Sequence, residues 1–247
     1  MKRHILSILL LAIISAAYSQ RASYDIIPLP AELKVDTART FRLADGMGIA
    51  FDTTDAQTTR IARFLQQWVE QTTGIRLAQT PGNSKSPVRL VVKSGAHPSS
   101  PSHYELTVNR SGITLAAPAP EGLFRASQTL RKSLPVGRHA AVDLPYVQIT
   151  DQPRFAYRGV LLDCARHYFT VDVIKQFLDV MALHGCNQFH WHLTDDQGWR
   201  FEFKASPRLA QEGSIRQKTV IGPGNMNIFD NTPYGGYYTQ EQCRDIV

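Results

Sequence analysis

Residues 157–200, YRGVLLDCARHYFTVDVIKQFLDVMALHGCNQFHWHLTDDQGWR, leave few folds open to this chain. An apolar run at 155–165 meets a polar corner. Thr170 can then cap a helix whose buried stripe is Ile174, Phe177, Leu178, Met181 and Ala182, and Gly185 can end it. A second apolar run, 187–194, finishes on two acids, Asp195 and Asp196. A strand, a helix of about four turns and a second strand joined by short loops form a right-handed unit with adjacent parallel strands. Parallel α/β folds carry their chemistry at the C-terminal ends of such strands. Here those ends hold Arg166 and His167 on one strand, and Asp195 and Asp196 on the other.

The rest of the 247 residues divides around this unit. Lys2 and Arg3, the apolar run 5–16 and the small-residue step at 17–19 predict an export signal over residues 1–19, with Gln20 as the first mature residue. An apolar run of about a dozen residues is too short to span a bilayer core of roughly 30 Å, so no stable membrane insertion is expected. Removing the signal lowers the formal charge from +6 to +4. That excess is dispersed, which argues against a nucleic-acid partner. Three cysteines, Cys164, Cys186 and Cys243, are an odd number without CxxC spacing, and Cys164 and Cys186 fall at opposite ends of neighbouring strands. They read as buried free thiols.

Residues 20–150 predict a small α+β domain. After Pro28 and Pro30, residues 31–50 read as short strands with a turn at Asp45-Gly46. Ile61, Phe64, Leu65, Trp68 and Val69 recur at helical spacing ahead of Gly74. Residues 88–93 predict a strand, residues 103–117 a hairpin turning at Ser111-Gly112, and residues 121–134 a second helix. His97, His103 and His139 read as isolated surface histidines. Residues 136–153, punctuated by Pro145 and Pro153, read as the boundary.

Residues 151–247 then open a second domain. Residues 195–231 form a long Gly, Asn and Pro-rich segment, strand-like only at 201–204, and loops of that length are often functional. Thr239 and Gln242 make a capping box for a further helix. A (β/α)₈ barrel needs about 250 residues and roughly a hundred follow the boundary, so the sequence is expected to hold about the first quarter of a barrel.

Several residues in this region can carry chemistry. The Arg166 guanidinium can grip vicinal hydroxyls or a carboxylate, or else pair with Asp163 for structure alone. Asp195 and Asp196 are sequential neighbours, a poor acid/base pair, since glycosidase carboxylates flank the substrate roughly 5–9.5 Å apart. One of them can face a cavity while the other binds backbone amides. His190 and His192 share a strand face and raise the alternative of a metallohydrolase. Without further ligands they read better as imidazoles packed in the polar interior of a barrel. Trp191 points to the covering helix, and Trp199 either stacks on a sugar or anchors its loop.

RGVLLDCARHYF followed by NQFHWHLTDDQGWRFEF resembles the start of the catalytic barrel of family 20 glycoside hydrolases, the β-N-acetylhexosaminidases, from Phe155 onward. The preceding domain, with its EGLFRASQTL helix, is similar to the non-catalytic domain of the same enzymes. The resemblance implies that Arg166 grips hydroxyls of a terminal N-acetylhexosamine and that Asp195 supports the polar network around that sugar. It also implies substrate-assisted retaining hydrolysis of terminal GlcNAc or GalNAc from oligosaccharides or glycoconjugates, with neither metal nor cofactor. In such enzymes an adjacent Asp-Glu pair performs the acid/base step. No Asp-Glu dipeptide occurs in this sequence, so the pair is expected beyond Val247 and the chain alone is expected to be inactive. The alternative is a non-catalytic glycan-binding or scaffold protein.

Overall fold

The computed structural model describes residues 20–80, 82, 85–93, 100–223 and 228–247. The expected export signal and His97 lie outside them. The chain divides into two compact units, Met1–Ala156 and Tyr157–Val247.

The spine of the first unit is β8 (Ala141–Asp151). Along one edge it pairs antiparallel with β2 (Glu32–Ala44). Along the other it pairs with β1 (Gln20–Arg21), in parallel, and with β6 (Tyr104–Asn109), antiparallel. The sheet continues through β7 (Gly112–Ala117), β5 (Val88–Val92), β3 (Gly48–Ala50) and β4 (Ala78–Gln79), giving eight strands among the described residues. Two expectations fail here. Residues 136–153 are not a connector, because 141–151 build the central strand, and residues 31–50 hold one 13-residue strand before the Asp45-Gly46 turn. The first error traces to Pro145. Proline cannot donate to a ladder and is tolerated in strands at irregularities. β2 shifts register between Asp36 and Thr40, and Thr40 is the residue opposite Pro145.

Helices α1 (Ala56–Thr73) and α2 (Pro120–Ser133) pack on each other and on the sheet. Asp55 caps α1 by accepting from the backbone N–H groups of Gln57 and Thr58 at 3.2 and 2.9 Å. Leu65 and Val69 of α1 and Leu123, Ala126 and Leu130 of α2 join Leu106, Val108, Ile113, Leu115, Val142 and Leu144 in one core. Each fully buried leucine there stabilises the fold by about 1.5–3 kcal/mol. Phe64 lies at the rim, 37% exposed, and stacks on Trp68 at 5.4 Å. His103, expected at the surface, is buried at 7% exposure. α2 lies directly on its backbone, for a Cβ on Gly122 would come within 2.1 Å of the His103 carbonyl oxygen.

In the second unit β9 (Gly159–Asp163), α3 (Val171–Leu183) and β10 (Gln188–His192) form the expected strand–helix–strand unit, the strands parallel from Gln188↔Gly159 to His192↔Asp163. The Thr170 hydroxyl accepts from the Val173 N–H, and Gly185 takes φ 79° beyond the last turn. Ile174 of α3 packs with Cys164 and Tyr238, and Leu162, Leu178, Phe189 and Trp191 close round them. The opposite strand face is open: Leu161 is 51% exposed.

The segment expected to be strand-like only at 201–204 carries other short elements. It holds the hairpin β11 (Thr194–Asp195) and β12 (Gly198–Trp199), helix α4 (Pro207–Gly213), and β13 (Ile215–Arg216) paired with β14 (Tyr234–Gly235). The strand expected at 201–204 reduces to one bridge between Phe201 and Tyr238. Helix α5 (Gln240–Ile246) opens with the expected capping box: Thr239 Oγ1 accepts from Gln242 N at 3.1 Å, and Gln242 Oε1 accepts from Thr239 N at 2.9 Å. All three cysteines are free, but only Cys164 is buried.

Candidate functional site

The parallel register sets Asp163 beside His192 at the C-terminal ends of β9 and β10, and the site grows from there. The chain turns sharply after β9, and the Asp163 carboxylate stabilises the turn by accepting the Arg166 N–H at 3.0 Å. This aims the Arg166 side chain across the strand ends. Its Nη1 meets Asp163 Oδ2 at 2.7 Å, its Nη2 meets Asp195 Oδ2 at 2.8 Å, and its Nε donates to Gln197 Oε1 at 2.8 Å. Asp195 and Gln197 arrive on the β11–β12 hairpin.

The structural pairing of Arg166 with Asp163, open on sequence grounds, is therefore present. It does not use up the guanidinium. Three of five N–H donors are engaged in these contacts, which leaves one on each Nη, and the side chain is 49% exposed. The network holds a planar donor face in place at a strand end. Asp195 turns toward Arg166 while also accepting the Asp196 N–H at 2.8 Å; Asp196 itself is exposed. His192 supports the same carboxylates, with Nε2 at 3.3 Å from Asp195 Oδ2 and Nδ1 at 3.7 Å from Asp163 Oδ1. Its Nε2 also lies 3.1 Å from the Thr194 carbonyl oxygen.

These contacts set the charge states. For Asp163, burial acts to raise the pKa, but the Arg166 backbone N–H and guanidinium outweigh it and hold the carboxyl below the ordinary range. The Asp196 N–H holds Asp195 low in the same way, with Arg166 adding to the effect. A depressed carboxylate pKa stabilises the fold above the unfolded value of about 3.9, and that contribution is lost as pH falls through the folded value. Both groups should therefore remain ionised at pH 4 and the network should loosen only below it. Carboxyl-carbon NMR titration checks this; a midpoint at or above pH 4 for either aspartate contradicts the arrangement.

The remaining candidates are placed less centrally. His190 is exposed in this chain, on the strand face it shares with Leu161. Its ring lies 6.2 Å from that of His192, and among the described residues no group of three or more His, Cys, Asp or Glu side chains could hold a metal ion. Trp191 packs inward against Tyr238 and donates to Cys164 Sγ at 3.2 Å. Trp199 anchors its loop by donating to the Phe201 carbonyl at 2.6 Å. His167 stacks on Tyr234 at 4.6 Å, and its Nε2 lies 2.9 Å from the Tyr234 hydroxyl.

Two contributors are not evident from the sequence. Gln197 lies inside the run that carries the resemblance, but nothing in the sequence gives it a role. Arg200 is fully buried, makes no ion pair among the described residues, and donates to four main-chain carbonyls: Cys164 at 3.0 Å, Ala165 at 3.0 Å, Gly236 at 3.2 Å, and Ser214. The one clue is Gly198, whose missing side chain makes the room; a Cβ there would lie 2.5 Å from Arg200 Cζ.

Residues 155–247 match the profile described as "Glycosyl hydrolase family 20, catalytic domain", and residues 23–152 match "Glycosyl hydrolase family 20, domain 2". The chain belongs to glycoside hydrolase family 20. It is 34% identical to a beta-hexosaminidase of Porphyromonas gingivalis over 90% of this chain and 28% of that protein. It is 32% identical to the N,N'-diacetylchitobiase of Vibrio harveyi over 93% of this chain and 26% of that one. Among solved structures, the Streptomyces plicatus N-acetyl-beta-hexosaminidase in complex with Thio-NAglucal superposes with a TM-score of 0.75 at 31% identity, covering 90% of this chain and 42% of that one. The Vibrio harveyi family 20 exo beta-N-acetylglucosaminidase in complex with N-acetylglucosamine gives 0.75 at 29% identity, covering 93% and 34%. The family 20 chain thus spans less than a third of these curated relatives and less than half of these solved ones. Its architecture is the expected one for the family: an α+β domain, then the opening strands of the (β/α)₈ catalytic barrel.

Proposed function

We propose that this chain is part of an exported β-N-acetylhexosaminidase that removes terminal GlcNAc or GalNAc from the non-reducing ends of glycans, and that Arg166 and Asp195 hold the terminal sugar. The observation that carries the reading is the Arg166 fork, fixed across two parallel strand ends by Asp163, Asp195 and Gln197 with N–H donors to spare. Such a rigid, half-exposed donor face suits the vicinal hydroxyls of a pyranose, and Asp195 beside it can accept from one of them. The names of the relatives support the same substrate class. The reaction is substrate-assisted: the acetamido oxygen attacks the anomeric carbon while an acid protonates the leaving oxygen.

This chain supplies the grip and not the acid/base step, since no Asp-Glu dipeptide occurs in it. Purified residues 20–247 should therefore show no hydrolysis of p-nitrophenyl N-acetyl-β-D-glucosaminide above buffer. The intact protein encoded with its downstream sequence should hydrolyse it, and should prefer it by several orders of magnitude over the matching β-glucoside, which lacks the acetamido nucleophile. Turnover by residues 20–247 overturns the division of labour. Equal turnover of the two glycosides by the intact protein overturns the mechanism.

A further inference from the structure

We infer that Arg200 is a positioning residue that fixes the Arg166 corner, an assignment that rests on the reading of Arg166 as the sugar-gripping group. The corner depends on the peptide unit joining Ala165 to Arg166. Its N–H is held by Asp163 Oδ1 at 3.0 Å. Its carbonyl is held from the other side by Arg200 Nη2 at 3.0 Å, and the preceding carbonyl, of Cys164, by Arg200 Nε, also at 3.0 Å. The N–H groups of Cys164 and Ala165 both donate to the His192 carbonyl, at 2.9 and 3.1 Å, so the whole corner is docked on the end of β10. Arg200 Nη1 reaches two further carbonyls, of Ser214 and Gly236, which tie the chain before β13 and after β14 to the same point.

A charge this deeply buried ordinarily has an acidic partner, because desolvation disfavours it. Desolvation does hold the Arg200 pKa down, and the nearby positive charge of Arg216 adds to it. Four main-chain carbonyl dipoles offset part of that cost, and Tyr234, Tyr238 and Cys164 act in the same direction. A buried cation with four backbone acceptors from three chain segments specifies a geometry that an apolar side chain of equal volume could not. Lysine retains the charge but lacks the planar fork, so it cannot span the Cys164, Ala165 and Ser214 carbonyls at once.

The test is a double-mutant cycle in the intact enzyme. R200K should raise KM for the chromogenic N-acetylglucosaminide about tenfold with kcat changed by less than about threefold, and should cost under about twofold further in an R166A background. G198A offers a second approach, because its methyl group would press on the retained guanidinium from 2.5 Å; it should show the same KM-weighted, R166A-dependent effect. Penalties that multiply independently with R166A overturn the inference. So does a lowered melting temperature with unchanged KM in the folded fraction, which would leave Arg200 a stabilising role alone. If R166A itself has no effect, the failure lies in the Arg166 assignment, and that single-mutant arm reveals it separately.

Discussion

Arg166→Ala in the intact enzyme should lower kcat/KM on N-acetylglucosaminides by about two orders of magnitude, with most of the loss in KM. The estimate follows from the uncommitted donors. Each Nη carries two N–H groups and meets one carboxylate, which leaves one N–H on each, and a charge-assisted hydrogen bond to a ligand contributes about 1.5–3 kcal/mol. Two such bonds at the lower figure come to about 3 kcal/mol, and each 1.4 kcal/mol is a factor of ten. Binding energy lost equally in the ground and transition states appears in KM. Arg166→Lys should recover only part of the loss: an ammonium can pair with one aspartate but cannot meet Asp163, Asp195 and Gln197 while presenting donors to a ring. Steady-state kinetics on all three proteins decides the matter, and an unchanged kcat/KM for Arg166→Ala removes Arg166 from the sugar site.

Much of the second unit could be read from sequence, because local signals there agree with the tertiary outcome. The Thr170 cap, the α3 stripe and Gly185 each mark what the structure builds, whereas the polar residues at the strand ends left Arg166 open between binding and structure and Asp195 undistinguished from Asp196, and only the family resemblance singled out Arg166 and Asp195. What escaped depends on packing between segments distant in sequence. Arg200 looks like one basic residue among many until carbonyls from residues 164, 165, 214 and 236 converge on it. Gln197 matters only because the β11–β12 hairpin folds over the β9 corner. Helix α4 did leave a mark, proline in its first turn, but at seven residues it was too short for a periodic stripe. In the first unit, Pro145 concealed the central strand because the irregularity that accommodates it belongs to β2, about a hundred residues earlier.

Gly112 shows a residue that was recognised for a reason other than the one that matters. Sequence alone assigns it to the hairpin turn. In the fold it opens β7, opposite Asn109, with φ 123°. Its role is close approach: the neighbouring Ile113 N–H donates to the Pro87 carbonyl at 2.7 Å, and a Cβ on residue 112 would lie 1.9 Å from that oxygen and 2.7 Å from its carbon. Gly112→Ala thus meets two independent obstacles. The backbone conformation costs a residue with a side chain about 1–3 kcal/mol, and displacing a main-chain carbonyl from a packed sheet costs a similar amount. A total of about 4 kcal/mol is a large fraction of the 5–15 kcal/mol typical of a domain, and corresponds to a fall in melting temperature on the order of 15 °C. The β5–β7 pairing would break first, from Val88↔Ile113 onward. Hydrogen exchange should therefore show early loss of protection at Ile113 and Leu115, and thermal melts followed by circular dichroism give the size of the effect. A variant that melts within about 3 °C of the parent would mean that β7 can move away from Pro87 without cost, contrary to the buried packing of Ile113 and Leu115.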